Sequence, residues 1–198
     1  MRVAEFLDVA VSAGAGGVLV AMLMLFLRGP DGRPRYSAQE ALAFVAGSVG
    51  RKDGWGGRRG RWAKLLRGSR SGDRALRRVF GDATLRDTVA PLLVPCYDLA
   101  TAAPFVFSRA DAVESDGFDF RLLDVCAATC AADGEPVAVR SVDSRTAIAA
   151  ASAGVAAMGN PAAAAITHVL HNKQEFPLAV GVDDLLVVSV SSDPPPPP

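Results

Sequence analysis

One uncharged stretch near the start of the chain limits most strongly what the chain can fold into. Residues 6–28 read FLDVAVSAGAGGVLVAMLMLFLR, and none of residues 9–27 carries a charge. A run of about 18 or more apolar residues is long enough to cross a membrane as a helix. The same run can instead form a buried strand, a tight glycine turn and a buried helix. The two interpretations predict different classes of protein.

The glycines inside this run favour the second interpretation. Three of the four residues at positions 14–17 are glycine. Each would destabilise a helix interior by about 1 kcal/mol relative to alanine, whereas a tight turn accommodates glycine readily. The sequence therefore predicts a strand at residues 3–11, a turn at residues 12–17 and a helix at residues 18–27. A small membrane-anchored protein is the alternative.

Composition indicates a globular protein with an uneven distribution of charge. A chain of 198 residues is long enough for one domain that buries about 70% of its unfolded surface. With 50% hydrophobic residues, 21% charged residues and a formal net charge of zero, the chain is not a disordered one. However, 11 of the 21 Lys and Arg residues lie within residues 51–78.

Residues 50–72 form a basic, glycine-rich insertion that is predicted to be flexible. It contains both tryptophans of the chain. A solvated insertion is one interpretation. In a second, tryptophans enter a lipid interface while arginines meet anionic head groups; nucleic acid is a third possible partner and is not the expected one. The residues of the possible membrane contact are Trp55, Arg58, Arg59, Arg61 and Trp62.

The cysteines and histidines do not form a pattern typical of a metal site. Cys96, Cys126 and Cys130 are odd in number and too few for a disulfide scaffold, which favours a reducing compartment and buried thiols. His168 and His171 are three residues apart on a predicted helix, but no third ligand has a fitting spacing. We therefore expect neither a metal nor a cofactor.

The rest of the chain alternates between predicted helices and strands. Ser37 begins a capping box before a helix at residues 38–49, and Asn160 with Pro161 begins another helix. Residues 109–119 are predicted to be an acidic loop. Strands are predicted at residues 94–97, 104–108, 137–142, 148–151 and 185–190, the last of them buried on both faces. This alternation predicts an α/β sandwich with a largely parallel sheet.

Seven short segments follow one another in a characteristic order. They are residues 6–9 (FLDV), 80–85 (FGDATL), 96–99 (CYDL), 105–108, 126–130, 154–161 and 185–189. This ordered set resembles the patatin family of lipid acyl hydrolases, and more narrowly the plant patatin-like proteins, over almost all of the chain. The resemblance implies a three-layer α/β sandwich with a mostly parallel central sheet.

The resemblance also implies where a catalytic site would lie. Patatin-type chemistry uses a Gly-x-Ser-x-Gly elbow, a second Asp-Gly-Gly or Asp-Gly-Ala turn and a glycine-rich oxyanion loop. Gly14 is at the position of the nucleophile and Ser152 at that of the dyad aspartate. Some plant patatin-like proteins similarly have glycine in place of this serine. The elbow here is Ser12, Ala13, Gly14, Ala15, Gly16 and Gly17, and the second motif is Ser152, Ala153 and Gly154.

These departures lead to a functional expectation. No intact Ser-Asp dyad is present, and the oxyanion loop would precede residue 1, so we expect an N-terminally truncated, partial domain at residues 1–192 with a proline tail at residues 193–198. We expect a catalytically impaired member of the family that binds membrane phospholipid or galactolipid, or a protein partner, in the cytoplasm or peripherally at a membrane. An active acyl hydrolase with another nucleophile is the alternative within the family.

Overall fold

A computed structural model of the protein describes residues 3–25, 35–49, 70–131, 136–152 and 160–190. The helices in these residues are α1 (Ala15–Met24), α2 (Ala38–Val49), α3 (Arg70–Phe80), α4 (Arg109–Glu114), α5 (Leu122–Thr129) and α6 (Pro161–His171). The strands are β1 (Ala10–Val11), β2 (Leu92–Asp98), β3 (Ala103–Ser108), β4 (Val137–Arg140) and β5 (Ala147–Ser152). Short 3-10 turns occur at Val3–Phe6, Leu85–Asp87, Asp116–Phe118 and Val182–Asp184.

The sheet is built around β2, and it confirms the predicted α/β class. β1 pairs with β2 in parallel, β3 and β5 pair with β2 antiparallel, and β4 pairs with β5 antiparallel. The sheet of the described residues is therefore mixed, with one parallel and three antiparallel pairings, and is less parallel than the order of elements predicted. The reason is that the connections after β2 and β4 are short, and a short connection can join only antiparallel strands.

Helices cover both faces of the sheet. Val94 of β2 and its cross-strand partner Phe107 lie in the main core, where α1 and α5 pack. Because side chains alternate along a strand, Leu93 faces the opposite side. The partner of Leu93 is Ser108, and Ser108 contacts His168 of α6. The order of layers is thus α1 with α5, the sheet, and α6.

Three phenylalanine rings form the centre of the core. The ring of Phe107 lies 5.1 Å from that of Phe105 and 5.0 Å from that of Phe120, both in edge-to-face geometry. Phe107 and Phe120 are fully buried. Such contacts join β3 to the segment that leads into α5, so this cluster connects the sheet to one helical layer.

The predicted helix caps are confirmed. Ser37 N–H donates to Glu40 Oε2 at 2.7 Å, and Glu40 N–H donates to Ser37 Oγ at 3.2 Å, which is the reciprocal capping box. Asn160 Oδ1 accepts from Ala163 N–H at 3.1 Å at the start of α6. Helix α2 spans the predicted residues 38–49.

The N-terminal elements are shorter than predicted. Residues 3–6 form a 3-10 turn that leaves Phe6 64% exposed, and only Ala10–Val11 pair with the sheet. Helix α1 begins at Ala15, three residues earlier than predicted. Gly16 and Gly17 lie in the first turn of this helix, where a Cβ atom on either would lie within 3.0 Å of Ser12 or Thr129.

The prediction of an acidic loop at residues 109–119 is wrong. These residues form α4 and a 3-10 turn. Ser108 Oγ accepts from Asp111 N–H at 3.4 Å, and Ser115 Oγ accepts from Gly117 N–H at 3.3 Å. Serine side chains thus accept hydrogen bonds from amides at the start of α4 and of the 3-10 turn. The acidic composition of the segment gives no indication of these caps.

The prediction of a buried strand at residues 185–190 is also wrong. This segment is in no strand, and Leu186, Val188 and Val190 are 93%, 74% and 92% exposed. A continuous apolar run predicts burial only where neighbouring strands lie on both sides of it. Within the described residues, no strand pairs with this segment.

Two further predictions fall partly or wholly on residues that the structure does not describe. Most of the basic insertion, including Trp55 to Trp62, and the proline tail lie outside the described residues. For the uncharged stretch, α1 has ten residues. None of the helices in the described ranges is long and apolar enough to span a membrane.

Candidate functional site

A strained turn connects β1 to α1 at the place predicted for the elbow. Ser12 N–H donates to Leu93 O at 3.3 Å, which extends the pairing of β1 with β2 by one residue. Gly14 follows with φ +61° and ψ −137°, and Gly17 N–H donates to Gly14 O at 3.0 Å to begin the helix. A side chain rarely occupies such a conformation, and hydrolase elbows place their nucleophile on a turn of this kind.

The two following glycines allow the turn to pack closely. A Cβ atom on Gly16 would lie 2.3 Å from Ser12 Oγ. Ser12 Oγ therefore lies against the first turn of α1. A Cβ atom on Gly17 would lie 3.0 Å from Thr129 Cγ2, whereas one on Gly14 would meet no atom within 4 Å. The apex thus has room for a side chain, although its backbone disfavours one.

Thr129 holds the apex of the turn in place from the end of α5. Gly14 N–H donates to Thr129 Oγ1 at 2.8 Å, and Thr129 is fully buried. No local pattern predicts this contact, because 115 residues separate the two positions. Thr129 is therefore part of the candidate site that sequence reasoning missed.

Replacement of Thr129 by valine should loosen the turn. Valine keeps the shape of threonine but offers no acceptor to Gly14 N–H, and an amide that loses its partner costs about 1–2 kcal/mol of unfolding free energy. Urea unfolding should show this loss, and hydrogen exchange at the Gly14 amide should become faster. Thr129→Ser, which keeps the hydroxyl, is the matched control and should preserve the protection of that amide. Equal protection in the valine variant would contradict this role.

The second predicted motif begins at the end of β5. Ser152 is the last residue of β5 and lies opposite Cys96 of β2. Ala153 and Gly154 are outside the described residues. The assignment of Ser152 to the position of the dyad aspartate therefore stays a prediction, as does that of Gly14 to the position of the nucleophile.

The ends of β1 and β5 meet along one edge of β2. β3 occupies the first edge, opposite residues 93–98. Leu93 O accepts from Ser12 N–H, and Leu99 N–H donates to Ala149 O. Residues 93 and 99 are an even number of positions apart, so both face the second edge. β1 is parallel to β2 and β5 is antiparallel, so their carboxyl ends point towards each other.

Pro95 lies where these two ends approach. Val11 is opposite Leu93 and Ser152 is opposite Cys96, which leaves roughly 10 Å along β2 for the turn at Gly14. Proline has no N–H group to leave unpaired at this gap. The fold therefore brings the turn at Gly14 and Ser152 to the same edge of β2.

Asp98 fixes the position of β5 relative to β2. Its Oδ1 accepts from Ala149 N–H and from Ala100 N–H, both at 3.1 Å, and its Oδ2 accepts from the Thr101 hydroxyl at 2.7 Å. Burial would raise the pKa of Asp98, but these hydrogen bonds from Thr101, Ala100 and Ala149 outweigh it and lower the pKa. The carboxylate thus remains charged while it positions the strand that ends at Ser152.

The cysteines are buried thiols, as predicted. All three are free and buried. Burial, with a smaller contribution from Asp98, raises the pKa of Cys96 to about 12, and burial raises that of Cys130 to about 12. Burial next to Cys130 also raises the pKa of Cys126. Since the thiolate is the reactive form, these residues are poor nucleophiles.

The two histidines of α6 have separate environments. His168 Nε2 lies 3.4 Å from Ser108 Oγ, whereas His171 Nδ1 lies 2.7 Å from Thr167 O. In the part of the chain that the structure describes, no three His, Cys, Asp or Glu side chains are grouped to hold a metal ion. The contact between Ser108 and His168 was also not predicted from the sequence.

A three-layer α/β fold in which a residue with positive φ connects a strand to a helix is the class of structure that hydrolases with a nucleophile elbow share. Comparison with known proteins then gives the family. A family model described as "Patatin-like phospholipase" matches residues 2–165. The chain belongs to the patatin-like phospholipase family.

Plant proteins are among its relatives. The chain is 58% identical over 193 residues to Patatin-like protein 3 of Oryza sativa subsp. indica, an alignment that covers 96% of this chain and 44% of the rice protein. It is 46% identical over 207 residues to Patatin-like protein 6 of Arabidopsis thaliana, covering 96% of this chain and 40% of that protein.

A third relative has a name that bears on activity. "Probable inactive patatin-like protein 9" of Arabidopsis thaliana is 45% identical over 201 residues, covering 98% of this chain and 51% of that protein. The chain spans about half the length of this relative and less than half that of the other two.

Proposed function

We propose that this chain is a patatin-like protein without an intact catalytic dyad, which acts by binding lipid or a protein partner. The observation that carries the proposal is the turn at Gly14. It has the strained backbone of an elbow, and its apex residue has no side chain that could attack an ester. The name of one relative as probable inactive supports the same view.

The other hydroxyls near the turn are poor substitutes for the missing serine. Ser12 Oγ lies against Gly16 under the first turn of α1, away from the apex. A serine is a weak nucleophile unless an adjacent base takes its proton. The resemblance implies that an aspartate at the position of Ser152 would serve as this base. With glycine at position 14 and serine at position 152, both members of the dyad are missing.

The ligand that we propose is the head group and acyl region of a membrane phospholipid or galactolipid. Its support is the description of the family as phospholipase-like. The arginines and tryptophans of the basic insertion have the composition of a segment that lies on an anionic membrane surface. We accordingly propose that the protein is cytoplasmic or lies peripherally at a membrane.

Serine labelling tests this proposal. The unchanged chain should release no fatty acid from phosphatidylcholine vesicles or acyl group from a p-nitrophenyl ester, and a fluorophosphonate probe should label no serine, because Gly14 at the apex of the turn has no hydroxyl. Mass spectrometry of the treated protein gives the site of any label. Labelling at Ser12 or Ser152 together with ester hydrolysis would instead support the active acyl hydrolase.

A matched pair of variants tests whether the turn presents its apex residue. Gly14→Cys places a thiol at the open apex, and Ala13→Cys places one beside it; the three native cysteines are buried. Faster alkylation of Gly14→Cys than of Ala13→Cys by iodoacetamide would show that the turn presents its apex residue. Alkylation of both at the same rate would mean that the turn does not select the apex.

A further inference from the structure

A group of ionisable side chains seats helix α6 on the sheet. Ser108 Oγ at the end of β3 lies 3.4 Å from His168 Nε2. Arg109 Nη1 lies 3.2 Å from Glu175 Oε1, and Arg109 Nε–H donates to Thr88 O at 3.0 Å. These contacts, which we call the α6 latch, tie both the helix and the segment after it to β3 and α4.

The α6 latch contains two carboxyl groups and two basic groups, of which only the Arg109 guanidinium is permanently charged. Glu175 Oε2 is buried and has no hydrogen-bond partner among the described residues. Asp111 and Glu175 both interact electrostatically with His168. Arg109 is the counter-charge of Glu175. Two partly buried carboxylates therefore share one guanidinium and one imidazole.

The two strands packed against α6, β1 and β2, contribute no further charge that is available to the latch among the described residues. β1 consists of two apolar residues, and the carboxylate of Asp98 at the end of β2 is occupied by its own hydrogen bonds. The side chain of Lys173 donates to Ala179 O. The titratable or charged groups on the packed elements are Cys96, Tyr97 and Asp98 of β2, Arg109, Asp111 and Glu114 of α4, and His171, Lys173 and Glu175 of α6 and its continuation.

We propose that the α6 latch is a proton-sensitive device in which uptake of a proton by the carboxyl groups of Asp111 and Glu175 tightens the seating of α6 on the sheet. Such groups titrate as a unit, so the proton belongs to the cluster and not to one residue. Proton uptake removes an uncompensated negative charge from a partly buried site, which is favourable.

The expected pH dependence has the sign that the pKa shifts of the two carboxyl groups predict. Burial raises the pKa of Asp111, partly opposed by His168, and burial raises the pKa of Glu175, partly opposed by Arg109 and His168. The folded protein therefore binds protons at these groups more readily than the unfolded chain does. It follows that the stability they contribute is greatest at low pH and falls as pH rises through their folded-state pKa values, above the ordinary 3.8 and 4.5.

The latch bears on the first predicted motif. α6 packs against β1, which leads into the turn at Gly14. A helix seated more tightly therefore restrains the strand that precedes this turn. This inference does not depend on whether the chain hydrolyses esters.

Hydrogen exchange of the α6 amides at pH 5 and pH 7.5, corrected for the intrinsic exchange rate, tests the proposal. We expect α6 of the unchanged chain to open less often at pH 5 by about twofold or more, because the seated state binds protons at Asp111 and Glu175 more readily than the opened state does. The Asp111→Asn, Glu175→Gln double variant should lose this dependence, and Asp82→Asn, an exposed acid outside the latch, should keep it.

Two outcomes would overturn the proposal. The first is more frequent opening of α6 at pH 5 in the unchanged chain, a result that needs no variant to fold. The second is an unchanged pH dependence in the double variant.

Discussion

A variant with Arg58, Arg59 and Arg61 replaced by glutamine should bind vesicles that contain phosphatidylserine about 100-fold more weakly than the unchanged chain. Each arginine near an anionic bilayer contributes about 1 kcal/mol, and three of them amount to about a factor of 100 in the binding constant. Vesicle co-sedimentation measures the affinity. The loss should shrink at high salt, since salt screens exposed charges.

The control for this prediction removes the same amount of charge elsewhere. Arg74, Arg77 and Arg78 are exposed residues of α3, and their replacement by glutamine gives the same net charge. We expect this second variant to bind the vesicles within about threefold of the unchanged chain, because a specific contact depends on where the charges lie. Equal losses in both variants would show that only total charge matters and would contradict a membrane contact at the insertion.

Replacement of Phe120 by alanine should lower the unfolding free energy by about 3–5 kcal/mol. The ring is fully buried, and its centroid lies 5.0 Å from Phe107 and 6.0 Å from Phe105. The variant loses these edge-to-face contacts and leaves a cavity at the junction of β3 and α5. Urea unfolding followed by circular dichroism measures the change.

Phe118 provides the matched control, since it lies two residues earlier and is 43% exposed. Phe118→Ala should cost about 1 kcal/mol or less, because its ring leaves water only in part. If the two variants were destabilised equally, the aromatic cluster would not be the centre of the core.

The helix caps could be predicted because they are local. In the capping box, Ser37 and Glu40 are three residues apart. Asn160 is three residues from Ala163, whose N–H donates a hydrogen bond to it. The chemistry of each cap is therefore complete within one turn of the chain. Helix α2 and the start of α6 followed directly from it.

The exposed apolar segment shows where this kind of prediction stops. The pattern of residues 185–190 describes which side chains could be buried, but burial requires strands on both sides. Nothing within the six residues specifies those neighbours. Parallel and antiparallel pairing could not be predicted for a similar reason. The direction of pairing depends on the length of the connection between two strands, and that length depends on where each strand ends.

The candidate site was predicted in part for the same physical reason. The turn at Gly14 could be located because glycine at positions 14, 16 and 17 marks a close-packed turn. Thr129 and the Ser108–His168 contact could not, because the partners are separated by 115 and 60 residues. Long-range polar contacts leave no periodic signal in a single sequence.

Strand β2 sets the distance between the turn at Gly14 and the end of β5. The turn at Gly14 and the end of β5 are anchored opposite Leu93 and Cys96 of the same strand, so the number of residues between these anchors sets the spacing of the motifs. Insertion of one residue beside Pro95 would change that spacing by about 3.3 Å and reverse the faces of all side chains beyond it. Neither motif would itself be altered, yet their alignment would be lost.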